Sequence, residues 1–81
     1  MMDQETAWQV VRAAYRCSAD LQALLKFLKE RCAVDEYKPF AIAIATVVDN
    51  LNVQLVDRAL AARPELASKI QSDLAKHGHL N

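Results

Sequence analysis

Residues 39–48 read PFAIAIATVV, and the hydroxyl of Thr46 is the only polar side chain in this stretch. The alternation of isoleucine and alanine resembles a β-strand, but a strand needs a partner strand and the rest of the chain offers none. As a helix, the stretch places Ile42 and Ile44 about 200° apart, on opposite sides. The sequence therefore predicts a central apolar helix at about 39–48, covered on both sides by the other helices or by another chain.

The scarcity of glycine and proline argues against a small all-β fold. The 81 residues include one Gly and two Pro, whereas Ala, Leu, Gln, Lys, Arg and Glu, which favour helices, are plentiful. A chain of this length supports one hydrophobic core, so residues 1–81 are expected to form a single helical domain. The predicted fold is all-α, a small bundle of four or five helices.

A long first helix is predicted over about residues 3–33. Apolar residues recur at alternating steps of three and four from Ala7 to Leu28, and charged residues occupy the opposite face. Asp3 is the expected N-cap. A straight helix of this length measures about 45 Å, so it either projects from the domain or breaks at Ser18, and both alternatives stay open.

Two further helix starts are predicted from capping residues. Asp35 would cap the central helix, and Pro39 would stand in its first turn, where the backbone N–H has no intrahelical partner. Asp49 or Asn52 would interrupt the chain and cap a helix at about 52–62, because Asp and Asn compete for backbone hydrogen bonds.

The end of the chain is predicted to carry a last helix. Pro64 disfavours helical geometry before it and would begin a helix at about 64–77. Gly78 is the expected terminator, and residues 78–81 would form a frayed tail.

Charge and targeting signals exclude several classes of function. Ten basic and ten acidic residues cancel, and no segment is a basic arm, so nucleic acid is not an expected partner. The N-terminus lacks the basic and apolar pattern of a signal peptide, and no apolar run approaches the ~18 residues of a membrane span. We therefore expect a cytoplasmic protein without a membrane partner.

Groups that could carry chemistry are few. Cys17 and Cys32 would lie roughly 22 Å apart on one helix, beyond disulfide reach, and are interpreted as free buried thiols. His77 and His79 could ligate a metal, but such a site needs three or four converging ligands, so a polar terminus is the preferred interpretation. No carboxylate pair is placed in a pocket, and no Gly-rich phosphate loop exists. We expect no enzyme activity, no cofactor and no metal.

The surplus of apolar surface indicates protein–protein interaction. Trp8 and Tyr15 flank the main stripe of the first helix and, with Ile42, are the predicted interface residues, while Ile44 is assigned to the internal core. Four short helices would not cover all of this surface, so a homodimer or a complex with another protein is expected. The predicted function is that of a small adaptor, regulator or secretion-type chaperone.

The alternative is a helix-turn-helix DNA-binding regulator that uses residues about 46–60. The stretch TVVDNLNVQLVDRAL would give a first helix, a turn at 50–52, and a second helix that exposes Gln54 and Arg58. The usual turn glycine is absent, and Asp57 beside Arg58 leaves few groups for bases or phosphates. The interaction module is therefore preferred over DNA binding.

Overall fold

The computed structural model describes residues 2–78 and Leu80, and every regular element in this part of the chain is helical. Helix α1 spans Gln4–Arg31, and α2 spans Val34–Leu51. A π-helical segment, Asn52–Val56, joins α2 without a gap to α3, Asp57–Ala62, and α4 spans Leu66–His77. The all-α class is confirmed. The described residues form three separate helical rods rather than four or five helices, because Val34–Ala62 is one uninterrupted helix.

Helix α1 begins at its predicted cap and does not break. The Asp3 Oδ1 accepts a hydrogen bond of 2.7 Å from the Thr6 N–H, and hydrogen bonding to Thr6 lowers the pKa of the Asp3 carboxyl below its ordinary value. The helix continues through Ser18, and the spacing of its apolar residues does not shift there. It therefore projects: the molecule measures 46 × 26 × 14 Å, and its radius of gyration of 14.8 Å exceeds the ~12 Å of a compact chain.

Helix α2 begins before its predicted start, and Asp35 is not its cap. Ala33 occupies the N-cap position, and the Glu36 Oε1 accepts the Ala33 N–H at 3.2 Å. Asp35 and Glu36 then lie in the first turn, where negative charge is favoured by the helix dipole. Pro39 consequently lies inside the helix. Because proline has no N–H, the backbone carbonyl of the exposed Asp35 lacks its usual intrahelical donor.

The predicted interruption at residues 49–52 is wrong, since neither Asp49 nor Asn52 caps a new helix. Asn52 has helical backbone angles (φ −67°, ψ −49°), and the Asp57 N–H donates to the Asn52 carbonyl five residues back. Such a π segment inserts one extra residue and leaves the helix continuous. Residues 46–60, all of them described, therefore contain no turn, and the helix-turn-helix interpretation loses the geometry on which it depends.

The boundaries near the C-terminus are close to those predicted. Arg63 is non-helical (φ −139°) before Pro64 and ends α3, and Gly78 ends α4 in the left-handed conformation (φ 73°). Within the predicted tail 78–81, residues 79 and 81 lie outside the described part of the chain. Leu80 is buried against the core, so a frayed tail is not what the structure shows at that residue.

The hydrophobic core lies at the end of the molecule where α1 begins. Its buried members are Ala7, Trp8, Val11, Ala59, Leu66, Ile70 and Leu80. The prediction that residues 39–48 form the wrapped centre of the fold is wrong, because Phe40 and Ile42 are exposed and only Ile44 is buried. The physical reason is that α1 does not break, so α4 is the helix left to cover the α1–α2 pair. Helix α4 packs at the end of the molecule where α1 begins, and most of residues 39–48 stay uncovered.

Candidate interaction surface

The structure separates the three predicted interface residues. Trp8 is a core residue, only 4% exposed, and the Lys69 ammonium lies 4.2 Å from the centroid of its ring, so the predicted role of Trp8 as a surface anchor is corrected. Tyr15 is half-buried and packs against the same core. Ile42, on α2, is 69% exposed. Of the three, Ile42 alone presents most of its side chain to solvent.

Helices α1 and α2 form an antiparallel hairpin, joined by Cys32 and Ala33. A shallow cavity of about 330 Å³ lies along one side of this hairpin. Its lining comes from both helices: Gln22, Leu25, Ile44, Ala45, Val48, Asp49 and Asn52. Because these side chains line one cavity, they mark one side of the helix pair.

The opposite side of the hairpin exposes four large apolar side chains. At 100° per residue, the midpoint of the cavity-lining positions lies about 130° from Leu24 on α1 and about 110° from Phe40 on α2, so both point away from the cavity. Phe27 and Val47 share that side with them. The exposed fractions, all between a third and two thirds, are 43% for Leu24, 46% for Phe27, 54% for Phe40 and 46% for Val47. These four residues are termed the open face.

One side chain of the open face, Phe27, is partly covered by Arg31. The Arg31 guanidinium lies 4.6 Å from the centroid of the Phe27 ring, a cation–π contact that shields part of one aromatic face. Leu24, Phe40 and Val47 keep about half of their side-chain surface in water. Contiguous apolar side chains at this exposure are typical of a surface that contacts another molecule.

Sequence reasoning missed most of the open face. Phe40 lies only about 40° from Ile44 around the helix, so periodicity assigns both to one internal stripe. Whether such a flanking position is covered depends on the neighbouring helix, which periodicity does not report. Phe27, three residues after Leu24 and outside the main stripe, was a local signal that the apolar arc of α1 is wider than its contact with α2.

Both cysteines are free thiols, but the interpretation of both as buried is wrong. Cys17 is exposed and Cys32 is half-buried. Cys17 is exposed although it belongs to the apolar heptad series that runs from Ala7 to Leu28. A heptad position is therefore not sufficient for burial.

Replacement of Cys17 by Ser is expected to leave the free energy of unfolding within ~0.5 kcal/mol of the wild-type value, because an exposed position loses few contacts. Cys32→Ser should cost more, since its half-buried side chain would gain a hydroxyl in partly apolar surroundings. Urea denaturation followed by circular dichroism measures both. A larger loss at Cys17 than at Cys32 would contradict the observed exposures.

The histidine tail has no metal site in the part of the chain that the structure describes. His77 is exposed in the last turn of α4, and His79 lies outside the described residues. Among the described residues, no group of three His, Cys, Asp or Glu side chains is placed to hold a metal ion.

The helix Val34–Ala62 is, by length and composition, one that could cross a membrane, with a mean hydropathy of 1.4 over its best window and 11% of that window buried. Any 18-residue window within this helix includes Asp49 and Asn50. A charged residue near the middle of a bilayer costs about 2.5–3.5 kcal/mol or more. Length and composition alone do not separate a membrane span from a partner-binding helix.

Comparisons with known proteins found no match: no family model, no curated protein and no solved structure matches this chain. Fold class by itself does not imply function, which depends on specific sites. The open face and the cavities are therefore the features from which a function can be proposed.

Proposed function

We propose that this chain is a small, non-enzymatic protein–protein interaction module of the cytoplasm that self-associates as a homodimer through the open face. The exposure of Leu24, Phe27, Phe40 and Val47 on one side of the hairpin carries the proposal. Single exposed apolar residues are normal on soluble proteins, but a cluster contributed by two helices marks an interaction surface.

The area of the open face matches what a dimer needs. Aromatic side chains bury 150–250 Å² each, so two half-exposed Phe residues with Leu24 and Val47 leave on the order of 400 Å² of apolar surface in water. A standard interface buries about 800 Å² per partner, roughly 65% of it apolar in homodimers. The open face supplies most of that apolar share.

Burial of the open faces would drive association. At about 25 cal/mol per Å², covering both contributes at most on the order of 20 kcal/mol, from which an association cost of about 4–15 kcal/mol, side-chain ordering and polar desolvation are subtracted. The chain has a formal net charge of zero, so two copies meet without net repulsion. A two-fold arrangement of two hairpins, open face to open face, gives a four-helix bundle at the interface.

Ile42 lies outside this surface, on the outer edge of α2. It is about 160° from Ile44 around the helix, next to the polar Lys38, Thr46 and Asp49. An isolated apolar side chain among polar neighbours adds little interface area. The interface role of Ile42 stays a prediction, and the variant that tests it also serves as the matched control for Phe40.

Size-exclusion chromatography with light scattering tests the proposal. The wild-type protein is expected at twice the chain mass of 9.1 kDa. Phe40→Asp should give a folded monomer, because Phe40 is half-exposed within one chain and its charge would be desolvated only in the dimer. Ile42→Asp, with the same added charge two residues away, should stay dimeric.

Two results would contradict the open-face dimer. If the wild-type protein remained monomeric up to high micromolar concentration, the proposed self-association would be wrong. A dimer that survives Phe40→Asp and dissociates on Ile42→Asp would move the interface to the outer edge of α2. Circular dichroism on each variant shows that the helices are retained, so that dissociation is not confused with unfolding.

A further inference from the structure

A cleft of about 370 Å³ lies between α1 and the end of α4. Arg12, Tyr15, Arg16 and Ala19 form its α1 wall, at the three- and four-residue steps that place side chains on one helix face. Leu74 and Leu80 form part of the opposite wall. The cleft thus combines two cations and a phenol with aliphatic side chains, closer to the N-terminus of α1 than Leu24 and Phe27 of the open face.

Arg12 has an unusual environment for an arginine. Its Nε is buried and has no hydrogen-bond partner among the described residues. A buried donor without an acceptor is costly, and such groups in native structures call for an explanation, one of which is an absent ion or ligand. Among the described residues, Arg63 pairs with Glu65 at 3.5 Å, whereas no ion pair joins Arg12 or Arg16 to a carboxylate.

We propose that this cleft binds a small amphiphilic organic anion, with its carboxylate or phosphate head on Arg12 and Arg16 and its apolar body against Leu74 and Leu80. A guanidinium presents donors in a fork that matches the oxygens of either head group. The Tyr15 hydroxyl adds a neutral donor at the same wall. The head-group oxygens would accept from the terminal nitrogens of the two guanidinium groups, which lie beyond the buried Arg12 Nε.

The cleft volume limits the size of this ligand. One water occupies about 30 Å³ of the liquid, so the cleft holds a body of roughly a dozen non-hydrogen atoms. This volume is at the lower end of the range for small-molecule sites, about 300–1,000 Å³. An eight-carbon chain with a carboxylate or phosphate head has this size.

Isothermal titration calorimetry with octanoate and octyl phosphate tests the site, with octanol and inorganic phosphate as the tail-only and head-only controls. We expect one molecule of octanoate or octyl phosphate bound per chain, and much weaker binding of both controls. Binding of either anion supports the site, and the tighter of the two identifies the preferred head group. Absence of heat with both anions at millimolar concentration, or octanol binding as tightly as octanoate, would overturn it.

The Arg12→Met variant separates recognition from packing. It keeps an aliphatic side chain of similar length, removes the unpaired donor, and is expected to weaken anion binding about ten-fold or more while the thermal midpoint stays the same or rises. Arg58→Met is the matched control, because Arg58 is exposed on α3 and hydrogen-bonds to Gln54 at 3.4 Å, outside the cleft. Its affinity should equal that of the wild type.

A second pair of variants covers the remaining outcomes. Arg16→Met, at an exposed position, should weaken binding even if Arg12→Met proves unstable. Phe40→Asp should not change the affinity, because Phe40 does not line the cleft. Unchanged binding in Arg16→Met and in a folded Arg12→Met, or loss of binding in Phe40→Asp, would show that the anion is held elsewhere and overturn the proposal. Failure of the dimer would leave this site unaffected.

Discussion

Replacement of Leu66 by Asp is expected to unfold the protein. Leu66 is 0% exposed and lies among Trp8, Val11 and Ile70 in the core. An isolated carboxylate at such a position costs several kcal/mol, or forces the group to bind a proton. A chain of 81 residues has a total stability of only about 4–12 kcal/mol, so this one change removes most or all of it.

The neighbouring Ala67 provides the control for Leu66. Ala67 is exposed in the first turn of α4, where an acidic side chain is favoured by the helix dipole, so Ala67→Asp should melt near the wild-type temperature. Leu66→Ala should give an intermediate loss of about 2–5 kcal/mol. Thermal melts by circular dichroism measure all three. A cooperative, wild-type-like melt of Leu66→Asp would mean that Leu66 is not part of a core shared by α1, α3 and α4.

The parts of the fold that the sequence predicted depend on local chemistry. The Asp3 cap satisfies an N–H three residues away, Pro64 acts on the residue before it, and Gly78 supplies the left-handed backbone that ends α4. Each of these effects is complete within one helical turn. The scarcity of glycine and proline gave the all-α class for the same reason.

The joint at residues 49–52 shows why local signals failed there. Asp49, Asn50 and Asn52 are residues that commonly leave a helix by hydrogen-bonding to the backbone. The chain remains helical because the π segment Asn52–Val56 admits one extra residue while backbone bonding continues to Asp57. Val56 and Ala59 are buried in the continued helix, and this packing favours continuation over capping at Asp49 or Asn52.

The open face was not predictable from periodicity, because it depends on whether another helix covers that side of the hairpin. Trp8 has the size and chemistry of an interface anchor, but α4 covers it; Phe40 has the phase of a core residue, but no helix covers it. Both are large aromatic side chains, so residue type does not distinguish the covered position from the open one. The position of α4, fixed by contacts far apart in the sequence, decides which is surface.

The pair Ile44→Asp and Ile42→Asp tests this division directly, because residue type, substitution and helix are the same at both positions. Ile44 is 6% exposed between α1 and α2, and Ile42 is 69% exposed on the outer edge. Ile44→Asp should lower the free energy of unfolding by ~3 kcal/mol or more, since it combines a lost aliphatic side chain with a buried charge. Ile42→Asp should stay within ~0.5 kcal/mol of the wild type.

Urea denaturation of the two variants, at a protein concentration low enough for the wild type to be monomeric, measures this difference without a contribution from association. A large loss at both positions would mean that PFAIAIATVV is internal on all sides, and the apolar surplus that supports a partner would disappear. A small loss at both would mean that α2 scarcely packs on α1, so that the two helices would not hold Leu24 and Phe40 on one face. Only the unequal result is compatible with a hairpin that is closed along Ile44 and leaves Ile42 in solvent.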